Sequence, residues 1–299
     1  MSGLKGKTMS DRSQTDRPGL SGTPSPASGG IAYPPVPDRL IGHRGAAASA
    51  PENTLASFQA AAAAGARWVE FDVKLTAEGV PIVLHDDTLD RTTNGQGPVA
   101  ALCLADLKDL DAGSWFSADF AGERVPTLAE TLDTLAVLGL GANIELKPCP
   151  GRTAETARAA LAVAQRRWPQ AAPPLVISSF DLDALAEAAA IAAQGVMTPW
   201  PRALLADAAD GWTAALLIER ARALGCVGVH LDDALASAET LETLRAAGLR
   251  RAVWTVNDRS RALALWEQGA DAIITDRPAS LLDKGDKKAG DDPVGPTGR

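Results

Sequence analysis

The 299-residue chain has room for one large α/β barrel or two smaller domains, and its 46% apolar content can fill a sizeable core. A formal charge of −8 excludes the basic face that a nucleic-acid partner selects, while leaving room for a small anionic substrate at a local site. Cys103, Cys149 and Cys226 lack metal-type spacing and read as reduced packing residues, and no apolar run reaches the roughly 18 residues of a membrane span or forms a secretory signal. A cytoplasmic protein without stable membrane association is expected.

Residues 1–37 are rich in Ser, Gly, Pro and Thr and cannot bury enough surface to fold, so they read as a disordered tail, as do residues 284–299. Between them, in a domain over 38–283, short β-like runs alternate with Ala/Leu-rich helical patterns, as a parallel sheet requires. The expected strands are 40–43, 68–73, 142–147, 175–180, 196–200, 226–231, 252–256 and 272–276. Helices are expected at 53–65, 127–139, 152–167, 182–193, 212–224, 238–248 and 258–268, with a short one from Pro278. A ninth β-like run, 81–85, follows the second strand after Thr76-Ala77-Glu78-Gly79. That connection is too short for a parallel crossover, so the run must pair antiparallel as a hairpin in the second βα loop. Residues 86–126 extend the excursion as an irregular insertion, whose Trp115 and Phe116 either cap a site or form a dimer contact. The pattern predicts a (β/α)8 TIM barrel; the alternative, a doubly wound open sheet, lacks its Gly-rich fingerprint after the first strand.

Strand periodicity then places the chemistry. Val69, Phe71 and Val73 share one face of the second strand, and Glu70, Asp72 and Lys74 the other. The third strand repeats this, with Ile144 and Leu146 outward and Asn143, Glu145 and Lys147 inward. Three inward carboxylates on adjacent strands cannot be buried without partners, and their oxygens suit Mg²⁺ or Ca²⁺ better than zinc. A single Glu-x-Asp would read as a solvated face; a second acidic strand beside it argues for a site.

Of three histidines, His43 ends the first strand and His85 the hairpin, above the mouth where barrel active sites sit. Such a pair can divide general base and general acid work near neutral pH. His230, with no such neighbours, reads as a packing residue. Arg44 and Lys147 either grip an anion or merely balance the carboxylates.

Gly42-His43-Arg44-Gly45, Pro51-Glu52-Asn53-Thr54, Glu70-Phe71-Asp72-Val73, Leu84-His85-Asp86-Asp87, Asp90-Arg91-Thr92-Thr93, Ile144-Glu145-Leu146-Lys147, Ser178-Ser179-Phe180, Trp254-Thr255-Val256-Asn257 and Thr275-Asp276 occur in one order across the folded region. Together they resemble the glycerophosphodiester phosphodiesterases. The resemblance implies a barrel with its insertion after the second histidine, and metal-dependent hydrolysis of a glycerophosphodiester to sn-glycerol 3-phosphate and an alcohol. It implies that His43 and His85 are the acid-base pair, that Glu70, Asp72 and Glu145 bind the divalent ion, and that Arg44 and Lys147 hold the phosphoryl oxygens. Glu52 would brace the site or complete the metal's surroundings, and Phe180 and Trp254 would be pocket walls or plain barrel packing. Attack through the glycerol 2-hydroxyl, by way of a cyclic phosphate, and direct attack by water both remain compatible. A lysophospholipase D acting on lysophospholipids is the alternative substrate reading, and would call for an exposed apolar entrance. A non-catalytic phosphodiester binder would have lost one of the five residues.

Overall fold

Alternation with period two carries over into a closed sheet. The structure, a computed structural model, describes residues 32–36 and 39–282. Its strands are β1 (Leu40–Gly42), β2 (Trp68–Leu75), β3 (Pro81–Val83), β4 (Gly141–Leu146), β5 (Leu175–Ser179), β6 (Arg202–Ala206), β7 (Gly228–Asp232), β8 (Arg250–Trp254) and β9 (Ala272–Thr275). All but β3 are parallel, in the order β1-β9-β8-β7-β6-β5-β4-β2, and β2 returns to β1 through Gly42 opposite Val69. The helices are α1 (Leu55–Ala63), α2 (Leu104–Lys108), α3 (Leu128–Leu138), α4 (Thr153–Arg167), α5 (Leu182–Ala193), α6 (Ala214–Ala223), α7 (Ala238–Ala246), α8 (Arg259–Glu267) and α9 (Pro278–Leu282). This is the expected (β/α)8 barrel.

The outward rows, among them Val69, Phe71, Val73, Ile144 and Ile177, form one apolar cluster with helix residues such as Phe58, Leu132, Leu161 and Leu185. Inside the barrel a second cluster gathers Ile41, Trp68, Val176, Ala203, Ala252, Ala272 and Ile274 around Tyr33. The interior is tight enough to demand glycine: a Cβ at Gly141 would lie 2.5 Å from the Trp68 indole, and one at Gly228 2.9 Å from the Tyr33 ring. Tyr33 belongs to the stretch read from sequence as a tail, yet its hydroxyl reaches His230 Nε2 at 2.9 Å and the two rings meet edge to face. His230 is fully buried, as its packing assignment implied. Residues 1–31 and 283–299, which hold the rest of the two expected tails, lie outside the described residues.

One strand is misplaced in the sequence reading. The run 196–200 is not β-structure, Val196 is 77% exposed, and the sixth strand is Arg202–Ala206 instead. Pro199 and Pro201 have no N–H to give a ladder, so pairing starts after the second proline. The shift matters for the site, because Ala203 and Leu205 then point inward and Asp207 follows in the same row.

The hairpin is as expected. β3 pairs antiparallel with the upper half of β2, Val73 opposite Val83 and Leu75 opposite Pro81. The insertion is less irregular than its composition suggests, for it contains α2, and its Leu89, Val99, Leu107, Ala112 and Val125 form a small core with Ile82 and Leu84 of the hairpin. Capped helix starts return the chain to the barrel, such as the Thr127–Glu130 capping box of α3.

Candidate active site

The turn after β1 is built from glycine. A Cβ on Gly42 would lie 2.2 Å from the Gly45 carbonyl oxygen, and Gly45 itself has φ +93°. Between them Arg44 takes a left-handed φ of 50°, which turns its amide toward Glu70 Oε2 at 3.1 Å while its carbonyl accepts from Asn53 N and Ser57 Oγ. Backbone in this region is costly for a side-chain-bearing residue, and here it is held by three hydrogen bonds.

Beside this turn, Glu70, Asp72 and Glu145 each bring a carboxylate oxygen within 4.8 Å of the other two, all buried. Asp72 Oδ2 accepts from Asn53 Nδ2 at 2.8 Å, and Lys147 Nζ stands 3.3 Å from Glu145 and 3.6 Å from Asp72. Glu70 Oε1 is buried with no hydrogen-bond partner. Burial, with repulsion from Asp72, pushes the Glu145 carboxyl up to about 7, and burial, Asp72 and Glu145 together push Glu70 well above the carboxylate range. Burial works against ionised Asp72 too, but Arg44, Lys147, His85 and the hydrogen bond from Asn53 together hold the group below its usual value. Three carboxylates face two cations, and the surplus falls on Glu70 and Glu145. An unpaired buried carboxylate oxygen in an all-oxygen cluster is what a hard divalent cation would complete.

The two histidines line the same cavity, each gripped from behind. His43 Nδ1 lies 2.6 Å from Asp276 Oδ1, with Nε2 3.9 Å from Glu70 Oε2. His85 Nδ1 lies 2.6 Å from Asp86 Oδ1, and Nε2 meets Lys147 Nζ at 2.8 Å. Donation of Nδ1–H to a carboxylate fixes the tautomer and leaves Nε2 for chemistry. Burial, helped by Arg44 and Lys147, lowers the His85 pKa, while Asp72 and Asp86 oppose. Asn257 in turn donates to Asp276 Oδ2 at 2.7 Å.

A third network explains Glu52. It accepts from Arg44 Nη1 at 2.7 Å and from both terminal nitrogens of Arg91, and Arg91 also binds Asp86 through two hydrogen bonds. Glu52 is thus engaged by two guanidiniums and stands apart from the carboxylate cluster. A fourth tie comes from Lys74, a fully buried lysine whose ammonium donates to Asp87 at 2.5 Å and to the Lys147 carbonyl at 3.3 Å.

The cavity measures about 450 Å³. His43, Arg44, Glu70, His85, Glu145 and Lys147 line one side, and the buried Asp72 stands against Arg44 and Lys147. Phe180 and Trp254 line the other, their rings edge to face at 5.4 Å, together with Asp207 and Asp210. Every sequence-nominated residue except Glu52 and Asp72 therefore reaches this cavity, and those two touch Arg44, which does. The sequence reading gave no role to Asp276, Asp86, Arg91, Asn53, Asn257, Lys74, Asp207 or Asp210. For Asp276 a signal existed, since it continues the inward row Ala272, Ile274.

Known proteins resemble this chain in sequence and in fold. The glycerophosphodiester phosphodiesterase of Caldanaerobacter subterraneus subsp. tengcongensis is 32% identical over 256 residues, 81% of this chain and 96% of that protein. Among solved structures, an Oleispira antarctica phosphodiesterase in complex with the product sn-glycerol-3-phosphate is 39% identical with a TM-score of 0.75, over 81% of this chain and 94% of that one. A glycerophosphodiester phosphodiesterase from Agrobacterium tumefaciens is 31% identical with a TM-score of 0.65, over 81% and 98%. The sequence model of the Glycerophosphoryl diester phosphodiesterase family matches residues 43–280, nearly the whole barrel, and the chain belongs to that family.

Proposed function

We propose that this enzyme hydrolyses glycerophosphodiesters to sn-glycerol 3-phosphate and an alcohol, using His43 and His85 as an acid-base pair. The reading is carried by one observation: two imidazoles, each braced through Nδ1 by its own carboxylate, face one cavity beside a carboxylate cluster short of positive charge. Glu70, Asp72 and Glu145 would hold a divalent cation, Mg²⁺ or Ca²⁺ by the hardness of the donors. Such an ion, when bound, neutralises phosphate charge and acidifies a hydroxyl or water.

The protein's own groups supply the rest. One histidine takes the proton from the attacking oxygen, a water or the glycerol 2-hydroxyl, and the other gives a proton to the departing alkoxide; where the 2-hydroxyl attacks, water then opens the resulting cyclic phosphate with the histidine roles exchanged. Lys147 and Arg44, which both line the cavity, hold the phosphoryl oxygens. Glu52 keeps the Arg44 guanidinium in place, and Phe180 and Trp254 wall the alcohol.

The test is release of sn-glycerol 3-phosphate from glycerophosphocholine by purified protein, after chelation and after return of Mg²⁺ or Ca²⁺. Activity lost to chelator and restored by either ion is the expected outcome. Hydrolysis of lysophospholipids but not of small diesters would move the assignment to lysophospholipase D, and full turnover after exhaustive chelation would remove the cation from it.

A further inference from the structure

We propose that the β5, β6 and β8 side of the cavity selects diesters whose alcohol carries a positive charge, an ammonium alcohol, with Asp207 and Asp210 as the specificity-determining residues. The inference rests on the phosphodiesterase reading and says which of its substrates the site prefers.

The cavity is divided by charge. Its β1, β2 and β4 side holds the catalytic and anion-holding groups, so the phosphate belongs there. The opposite side contributes two aromatic rings and two carboxylates, with Lys147 reaching the Phe180 ring from the phosphate side. Asp207 is aimed inward by strand alternation from Ala203 and Leu205, and one of its oxygens accepts from Ala209 N at 2.8 Å, which leaves the other to the cavity. Among the described residues neither Asp207 nor Asp210 has an ion-pair partner, whereas Asp72, Asp86, Asp87 and Asp276 around the catalytic groups all do.

The aromatic wall favours the same ligand. Lys147 Nζ already lies 5.7 Å from the Phe180 centroid, so the ring left for an incoming cation is Trp254. Its orientation is fixed by donation of Nε1–H to the His230 carbonyl at 3.1 Å and by the perpendicular contact with Phe180. An aromatic face beside unpaired carboxylates recognises ammonium and trialkylammonium groups, and a neutral or anionic alcohol gains nothing from either. That the cavity takes a ligand is argued independently by Glu70, whose buried Oε1 has no partner.

A shape-matched pair of substrates isolates the charge: glycerophosphocholine, and the diester of glycerol phosphate with 3,3-dimethylbutan-1-ol, choline's neutral carbon isostere. Release of sn-glycerol 3-phosphate from each gives a ratio of kcat/KM values. The ratio should favour the cationic diester by about 10-fold or more, and should fall at least about 3-fold in Asp207→Asn/Asp210→Asn, with a larger drop at low ionic strength. Asn at 207 keeps the acceptor for Ala209 N, and the single variant Asp210→Asn, at an exposed position, reads the effect if the double variant folds poorly. A ratio near one, or one unchanged in both variants, overturns the head-group assignment alone, since hydrolysis would still be seen. Release from neither diester overturns the hydrolase reading and this inference with it.

Discussion

At the scale of single residues, His43 and His85, the proposed acid-base pair, are defined by what stands behind them. Asp276 is held below the usual carboxylate range because its hydrogen bond with His43 and that from Asn257 outweigh its burial. Asp86 is held lower still, chiefly by Arg91 and then by His85. Both carboxylates therefore stay ionised and keep Nδ1 protonated, which leaves His43 Nε2 open for proton exchange and lets His85 Nε2 meet Lys147, the contact a substrate oxygen would replace. Asp276→Asn should lower kcat by on the order of 10²–10⁴-fold with little change in KM, because the amide favours the wrong tautomer without emptying the pocket. Steady-state kinetics decide it, and a KM effect at unchanged kcat would assign Asp276 to substrate binding instead. The histidines and cluster carboxylates were legible in sequence because they occur in pairs at strand ends. Asp276 was legible only as an inward position, since its partner His43 lies 233 positions away and only the closed barrel brings strand β9 beside β1, and the Arg91 bridge from Asp86 to Glu52 spans 39 positions.

At the scale of elements, the hairpin is what delivers His85. β3 pairs with β2 and stops, and the chain beyond it is pinned by Lys74, which bridges Asp87 and the end of β4. Because Lys147 meets His85 Nε2, one buried ammonium organises both. Lys74→Met should cost about 10–100-fold in kcat, the range typical when an outer partner of a site residue is lost, and Lys74→Arg should recover part of it. Equal melting temperatures with unequal kcat would separate positioning from stability; an unchanged kcat in Lys74→Met would refute the role. Elements were readable where periodicity was clean, as in β2 and β4, where Val, Ile and Phe alternate with charged residues. The sixth strand was missed because Val196, Met197 and Trp200 are apolar, while the prolines between and after them deny the ladder its donors. Asp207 was lost to view with it.

At the scale of the whole molecule, the barrel is closed at its floor by Tyr33, a residue the composition of its neighbourhood had consigned to a tail. Low-complexity flanks hide a single anchoring aromatic, because the tyrosine's partner, His230, lies 197 positions away. Burial lowers the His230 pKa to about 3, far below the roughly 6.5 of an unfolded chain. The unfolded state therefore binds a proton that the folded state refuses. This contribution to stability is intact above pH 6.5 and is lost progressively as pH falls toward 3, at up to about 1.4 kcal/mol per pH unit. His230→Asn should flatten that limb of a denaturation-versus-pH profile, and a limb of unaltered slope would mean that His230 titrates normally. Tyr33→Phe should cost about 1–3 kcal/mol, the penalty for leaving the imidazole nitrogen unsatisfied, read as a lower denaturation midpoint.

The central claim, that His43 and His85 divide proton delivery and removal, is tested most directly by changing the leaving group. His43→Ala and His85→Ala should each lose on the order of 10²–10⁴-fold in kcat on glycerophosphocholine, whose alkoxide needs a proton to depart. On the p-nitrophenyl diester of glycerol phosphate, whose phenolate leaves unprotonated, the variant lacking the acid should regain most of its rate and the variant lacking the base should not. Rescue of one and not the other is the predicted result. Rescue of both, of neither, or undiminished turnover of glycerophosphocholine by either variant would contradict the acid-base division.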